Sequence, residues 1–245
     1  MKQNAKQFDI ITIFPDILNS YFSESLFKRA QENKLIKIKT HFLRKWTIDR
    51  HQTVDDKPYG GGAGLVYKIE PIYKALKSIY PTLTLPFERG GKHSSKSPLL
   101  TKEGARGRLK KTRIILTAAN GKRFTQADAK RLAKYDRIIF VCPRYEGVDA
   151  RVEKLVDEKI SIGDYVLAGG ELPAAVITEA VCRYIPGFVG KQESVEFDSH
   201  STEGYLEHPQ YTRPEVFEIN GKKLRVPKVL LSGHHGEVAK WREKH

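Results

Sequence analysis

Two runs of this chain join charged and hydroxyl side chains to glycine in patterns that could hold a ligand. They are Val141-Cys-Pro-Arg-Tyr-Glu-Gly-Val-Asp-Ala-Arg151 and Ser161-Ile-Gly-Asp-Tyr-Val-Leu-Ala-Gly-Gly-Glu-Leu-Pro173. Each follows or contains an apolar, strand-like stretch and then breaks into glycines. In an open α/β sheet, ligands collect at such places, outside the carboxyl ends of the strands. Ordinary strand-to-helix punctuation with surface ion pairs accounts for the same residues equally well. A third run, Pro58-Tyr-Gly-Gly-Gly-Ala-Gly64, lacks the Lys-Ser/Thr ending of a phosphate loop and the spacing of a dinucleotide fingerprint. It fits a turn where backbone must approach something closely better than it fits a nucleoside triphosphate. His200, His208, His234 and His235 match no zinc spacing and read as solvated loop histidines. Cys142 and Cys182, the two cysteines, sit in apolar stretches and read as core filling.

Apolar periodicity supplies the elements that must position these runs. Residues 8–14 and 35–43 read as strands, with a helix over 16–34 between them carrying Ile17, Leu18, Tyr21, Phe22, Leu26, Phe27 and Ala30 on a helical period. A polar loop at 51–64 leads to a helix at 70–80. Further on, strands are expected at 113–117 and 137–142, and helices at 125–135, 149–157 and 172–184. The alternation predicts an α/β fold with a largely parallel sheet. Residues 85–111 interrupt it with two prolines, four glycines and three serines but no sustained period, and read as a disordered insertion. The first domain is expected to cover 1–189, followed by a flexible linker at 190–214 and a small, mainly helical domain at 215–245. Within the latter, Asn220-Gly221 suits a type I′ hairpin turn.

Composition bounds the function. With 245 residues of which 40% are hydrophobic, the chain can bury a core and form one or two domains. No apolar run approaches the ~20 residues of a membrane span, and a cytoplasmic address is expected. The formal charge is +14, of which residues 85–111 contribute +6. The +8 left over suits a phosphate-rich partner without identifying one.

Taken together and in order, several segments closely resemble the bacterial tRNA (guanine-N1)-methyltransferases. They are residues 8–15, the run Asp55-Asp-Lys-Pro-Tyr-Gly-Gly-Gly-Ala-Gly64, Arg144-Tyr-Glu-Gly-Val-Asp149, residues 161–173, Ile185-Pro-Gly187 with Gly190-Lys-Gln192, His208-Pro-Gln-Tyr-Thr-Arg-Pro214 and Leu230-Leu-Ser-Gly-His-His235. The match in order and spacing covers nearly the whole chain.

The resemblance implies a trefoil-knotted α/β domain of the SPOUT superfamily, followed by a small tRNA-binding domain. It further implies a homodimer with a shared active site, acting on the guanine at position 37 of tRNA with S-adenosylmethionine as methyl donor. Magnesium is a candidate addition, and no protein metal site is expected. Carried over position by position, cofactor contacts fall on Thr117, Ala118, Asn120, Pro143, Tyr145, Glu146, Ser161, Ile162, Gly163, Tyr165, Leu167, Gly169 and Gly170. Asp198 and Arg183 match the catalytic pair. This chain departs from the family at Pro143, where glycine is usual, at Ala118-Ala119-Asn120 in place of a Ser-Pro-Gln-like turn, and at the insertion. Two other readings stay open at this point: a knotted methyltransferase for another RNA, and a non-catalytic RNA-binding relative.

Overall fold

The computed structural model describes residues 5–81, 111–190, 198–202 and 204–244. The chain divides into two compact units, residues 1–192 and 193–245. The first unit runs β1 (Lys6–Thr12), α1 (Asn19–Phe22), α2 (Ser25–Glu32), β2 (Ile36–Phe42), β3 (Asp55–Asp56), β4 (Val66–Tyr67) and α3 (Ile69–Ile79). It continues through β5 (Thr112–Arg123), α4 (Gln126–Leu132), β6 (Arg137–Val141), β7 (Glu158–Ser161) and α5 (Glu171–Cys182). Five strands form one sheet in the order β2-β1-β6-β5-β7. Every pairing in it is parallel.

Period-two alternation sends side chains to both faces, and both are covered. Phe8, Ile10, Ile115, Ile138 and Phe140 pack on one face with Phe22, Phe27, Leu132 and Ile177 from the helices. Ile11, Ile114, Leu116, Ile139 and Val141 pack on the other with Ile72, Leu76 and Val152. Burial on both faces is why these strands read as nearly continuous apolar runs. Cys142 and Cys182 are free and buried in the first of these clusters. Lys6 enters the core as well. Its Nζ donates to Leu132 O at 2.9 Å, to Ala133 O at 3.2 Å and to Tyr135 O, which satisfies carbonyls left over at the end of α4.

Three elements differ from the periodicity. The helix expected over 16–34 is two, α1 and α2, broken at Ser25 with φ +50°. The spacing explains it: Phe22 and Phe27 are five apart, one more than a helical face allows, and the break lets their rings meet at 5.0 Å. The stretch at 149–157 forms only a 3₁₀ turn, Ala150–Leu155, because the chain must extend into β7 three residues later. β5 runs beyond 117 to Arg123, with its pairing to β7 interrupted between Thr117 and Lys122, so residues 118–121 stand out from the ladder. The expectation for 85–111 lies outside the described residues except for Lys111, as do 191–197 and 203 of the expected linker.

The second unit contains the hairpin β8 (Val216–Ile219) and β9 (Lys222–Arg225), then α6 (Lys228–Leu231) and α7 (His235–Lys244). Asn220 and Gly221 both have positive φ, +51° and +77°, as a type I′ turn requires. Among its described residues none is buried.

Candidate active site

The stretch of β5 that stands out of the ladder and the segments leaving the carboxyl ends of β6 and β7 converge. Gly170 N–H donates to Pro143 O at 2.8 Å, and Arg144 bridges Gly169 in antiparallel fashion. A Cβ on Gly170 would lie 2.1 Å from Thr117 Oγ1 and 2.8 Å from Cys142 Cα, so the three segments meet this closely only around glycine. They enclose a cavity of about 350 Å³.

The sequence-expected cofactor residues fall on it loop by loop. Thr117, Ala118 and Asn120 line it from the segment standing out of β5. Pro143, Tyr145 and Glu146 line it from the loop after β6, and Ser161, Ile162, Tyr165, Leu167, Gly169 and Gly170 from the loop between β7 and α5. Gly163 does not line the cavity. It stands behind Tyr165, whose ring occupies the space a Cβ there would need, and Ser161 Oγ donates to its carbonyl at 2.8 Å. The cavity also takes three charged residues absent from that set: Arg144, Glu153 and Lys159. Arg144 stands inside a glycine-punctuated run. Glu153 and Lys159 carry no motif signal.

A buried polar cluster fixes Arg144. Glu171, 1% exposed, accepts from Thr12 Oγ1 at 2.6 Å and from Arg144 Nε at 3.1 Å. The Arg144 guanidinium lies 4.4 Å from the centre of the Phe14 ring, a cation–π contact. Tyr67 of β4 packs edge-on to Tyr145 at 5.9 Å, and its buried hydroxyl has no hydrogen-bond partner among the described residues. Burial, reinforced by the Glu171 charge, pushes the Tyr67 hydroxyl above the usual phenol range. Burial likewise pushes the Cys142 thiol well up, so it stays neutral and inert.

The glycine-rich run supports the same loop. Tyr67 N–H donates to Gly147 O at 3.0 Å, Asp149 N–H to Tyr67 O at 2.9 Å and Glu146 N–H to Leu65 O at 3.1 Å. At Gly64, with φ +81°, a Cβ would stand 2.5 Å from Glu146 Cγ. The close approach that the run predicted is therefore to Glu146.

Arg183 is the half-buried residue that ends α5, its N–H donating to Glu179 O at 3.2 Å. Asp198 belongs to the second unit, where its carbonyl accepts from Ser201 N–H at 3.0 Å. Among the described residues no group of three or more His, Cys, Asp or Glu could hold a metal ion. His208 packs edge-on to Trp241 at 6.3 Å.

The family described as "tRNA (Guanine-1)-methyltransferase TrmD" matches residues 6–245. This chain belongs to that family. Membership in the tRNA (guanine-1)-methyltransferase family is borne out by individual relatives, each called tRNA (guanine-N(1)-)-methyltransferase. One from Citrifermentans bemidjiense is 43% identical over 239 residues, covering 97% of this chain and 84% of the relative. Another from Chloroflexus aggregans is 45% identical over 237 residues, covering 96% and 81%. A third from Dictyoglomus turgidum is 43% identical over 236 residues, covering 96% and 83%. The parallel five-stranded sheet fits the tRNA (guanine-1)-methyltransferase family. Among the described residues no helix is long and apolar enough to cross a membrane.

Proposed function

We propose that the chain transfers a methyl group from S-adenosylmethionine to N1 of the guanine at position 37 of tRNA, in the cytoplasm. The observation that carries this reading is the gathering of the family-matched residues around one cavity, in a chain whose family match spans 6–245.

The cavity suits the cofactor. Ile162, Tyr165 and Leu167 offer apolar and aromatic surface to a purine, and Gly169 and Gly170 add backbone to the same wall. The cofactor, when bound, supplies a methyl group made electrophilic by a sulfonium. A knotted path of the loops around it is part of the proposal.

Guanine N1 carries a proton at neutral pH and becomes nucleophilic only as a base removes it. Asp198 is the proposed base, taking the proton on a carboxylate oxygen. Charge left on the ring spreads to O6, and the Arg183 guanidinium donates to that oxygen. The chain's remaining task is to hold N1 in line with the methyl group.

The proposed assembly is a homodimer that shares its active sites. Phe14, Ile17 and Tyr21 are each close to half exposed, as are Leu172 and Val176, four apart on α5. The same face of α5 carries Glu179, which accepts from the Tyr21 hydroxyl, and continues to Arg183. Five large apolar side chains left this exposed fit a second copy better than water. The second unit is the proposed tRNA-binding domain, supported by exposed Phe217 and Tyr211 among Lys222, Lys223, Arg225 and Lys228.

The test is transfer of labelled methyl from S-adenosylmethionine to tRNA transcripts with guanine or adenine at position 37. Incorporation into the first alone is expected. Equal incorporation into both would move the target elsewhere, and none with either would favour a non-catalytic relative.

A further inference from the structure

One charged pair on the cavity wall, Lys159 with Glu153, lies outside the residues matched to the cofactor and to guanine. Lys159 is the second residue of β7. Its neighbour Glu158 is held by Arg113 and Arg131, with Arg113 Nε at 2.7 Å and Arg131 Nη2 at 2.8 Å. Strand alternation sends Lys159 to the opposite face, where the 3₁₀ turn at Ala150–Leu155 brings Glu153 to meet it. Lys159 Nζ donates to Glu153 Oε1 at 2.7 Å, and both side chains line the cavity. Their side chains are 24% and 50% exposed. At that exposure an ion pair adds little to stability.

The pair has unused bonding capacity at the cavity wall. An ammonium has three protons and a carboxylate two acceptor oxygens. One proton and one oxygen are engaged with each other, and the remainder have no partner among the described residues. A ligand group matched to such a wall must carry both signs side by side. Adenine and ribose are uncharged, and a tRNA phosphate would meet Glu153 as well as Lys159 and be repelled by it. The amino-acid end of S-adenosylmethionine carries an α-carboxylate and an α-ammonium on one carbon.

We propose that Glu153 and Lys159 form the subsite for this zwitterionic end, Lys159 donating to the α-carboxylate and Glu153 accepting from the α-ammonium. The inference rests on the cavity being the cofactor site. It leaves Glu146 for the ribose hydroxyls.

The experiment is calorimetric titration of the full-length chain with two ligands. S-adenosylhomocysteine carries the amino-acid end, and 5′-methylthioadenosine has the same adenosine and thioether without it. The wild type should bind the first more tightly. Lys159→Gln and Glu153→Gln should each weaken S-adenosylhomocysteine by about tenfold, as for one charge-assisted hydrogen bond at a part-exposed site, and leave 5′-methylthioadenosine within about twofold. Unchanged binding of the second ligand also shows that each variant is folded. Wild-type affinity for S-adenosylhomocysteine in either variant, or equal loss of both ligands, would overturn the subsite. A wild type that binds neither ligand would instead defeat the cofactor reading, and the subsite with it.

Discussion

Thr12 at the end of β1 and Glu171 at the start of α5 lie 159 positions apart and share a hydrogen bond of 2.6 Å. Glu171 also holds Arg144, so one buried carboxylate ties the edge of the core to the loop that forms the cavity wall. Replacing Glu171 with Ala strands Arg144 in a largely buried position. Loss of one partner of a buried pair costs on the order of 3 kcal/mol. Chemical denaturation should show that loss, accompanied by weaker S-adenosylhomocysteine binding. A variant with wild-type stability would mean that Arg144 finds another partner.

Gly170→Ala should abolish measurable cofactor binding, because its Cβ meets Thr117 Oγ1 at 2.1 Å. Adding Thr117→Ala should not restore it, since Cys142 Cα remains 2.8 Å away and is backbone. Calorimetry on the two variants checks this. Full rescue by the second substitution would show that the loops can separate.

Stability should respond to pH at two buried groups. Burial pushes the Asp9 carboxyl up, but hydrogen bonds and charge from His41 and Arg137 outweigh it and leave its pKa below the usual 3.8. Its contribution is therefore fully present above about pH 3.8 and is lost as pH falls through the lower folded value. Arg137→Met should raise the midpoint of acid unfolding. Burial lowers Lys6 from 10.5 to about 8, against the nearby Cys182 and Asp136. The folded state then binds fewer protons than the unfolded chain between those values, so stability should rise with pH across that window. In Lys6→Met the rise should vanish. Thermal unfolding at stepped pH reads both, and a Lys6→Met variant that keeps the slope would contradict the assignment.

Much of this site was legible because its residues sit in glycine-punctuated runs after apolar strands, where backbone from different loops must approach. Gly170 against Thr117 and Gly64 against Glu146 are the two approaches those glycines serve. Lys159 and Glu153 were not legible, since a charged pair on a four-residue strand and a 3₁₀ turn leaves no periodic trace. Glu171 reads locally as a helix first-turn acid, and only the tertiary fold turns it inward to Thr12. The break at Ser25 was visible in principle in the five-residue spacing of Phe22 and Phe27.

If the base acts across a dimer, chains carrying Asp198→Asn and chains carrying Arg183→Ala should each be inactive alone. Mixed under conditions of verified subunit exchange, they should recover part of the activity through hybrid dimers. Methyl transfer after mixing is the readout. No recovery would confine each site to one chain.

Nucleoside mass spectrometry of tRNA treated with wild-type enzyme and S-adenosylmethionine tests the central claim most directly. The expected product is 1-methylguanosine, formed by the wild type and absent with Asp198→Asn, while both proteins bind S-adenosylhomocysteine alike. Methylation at another guanine atom, or undiminished 1-methylguanosine from Asp198→Asn, would contradict it.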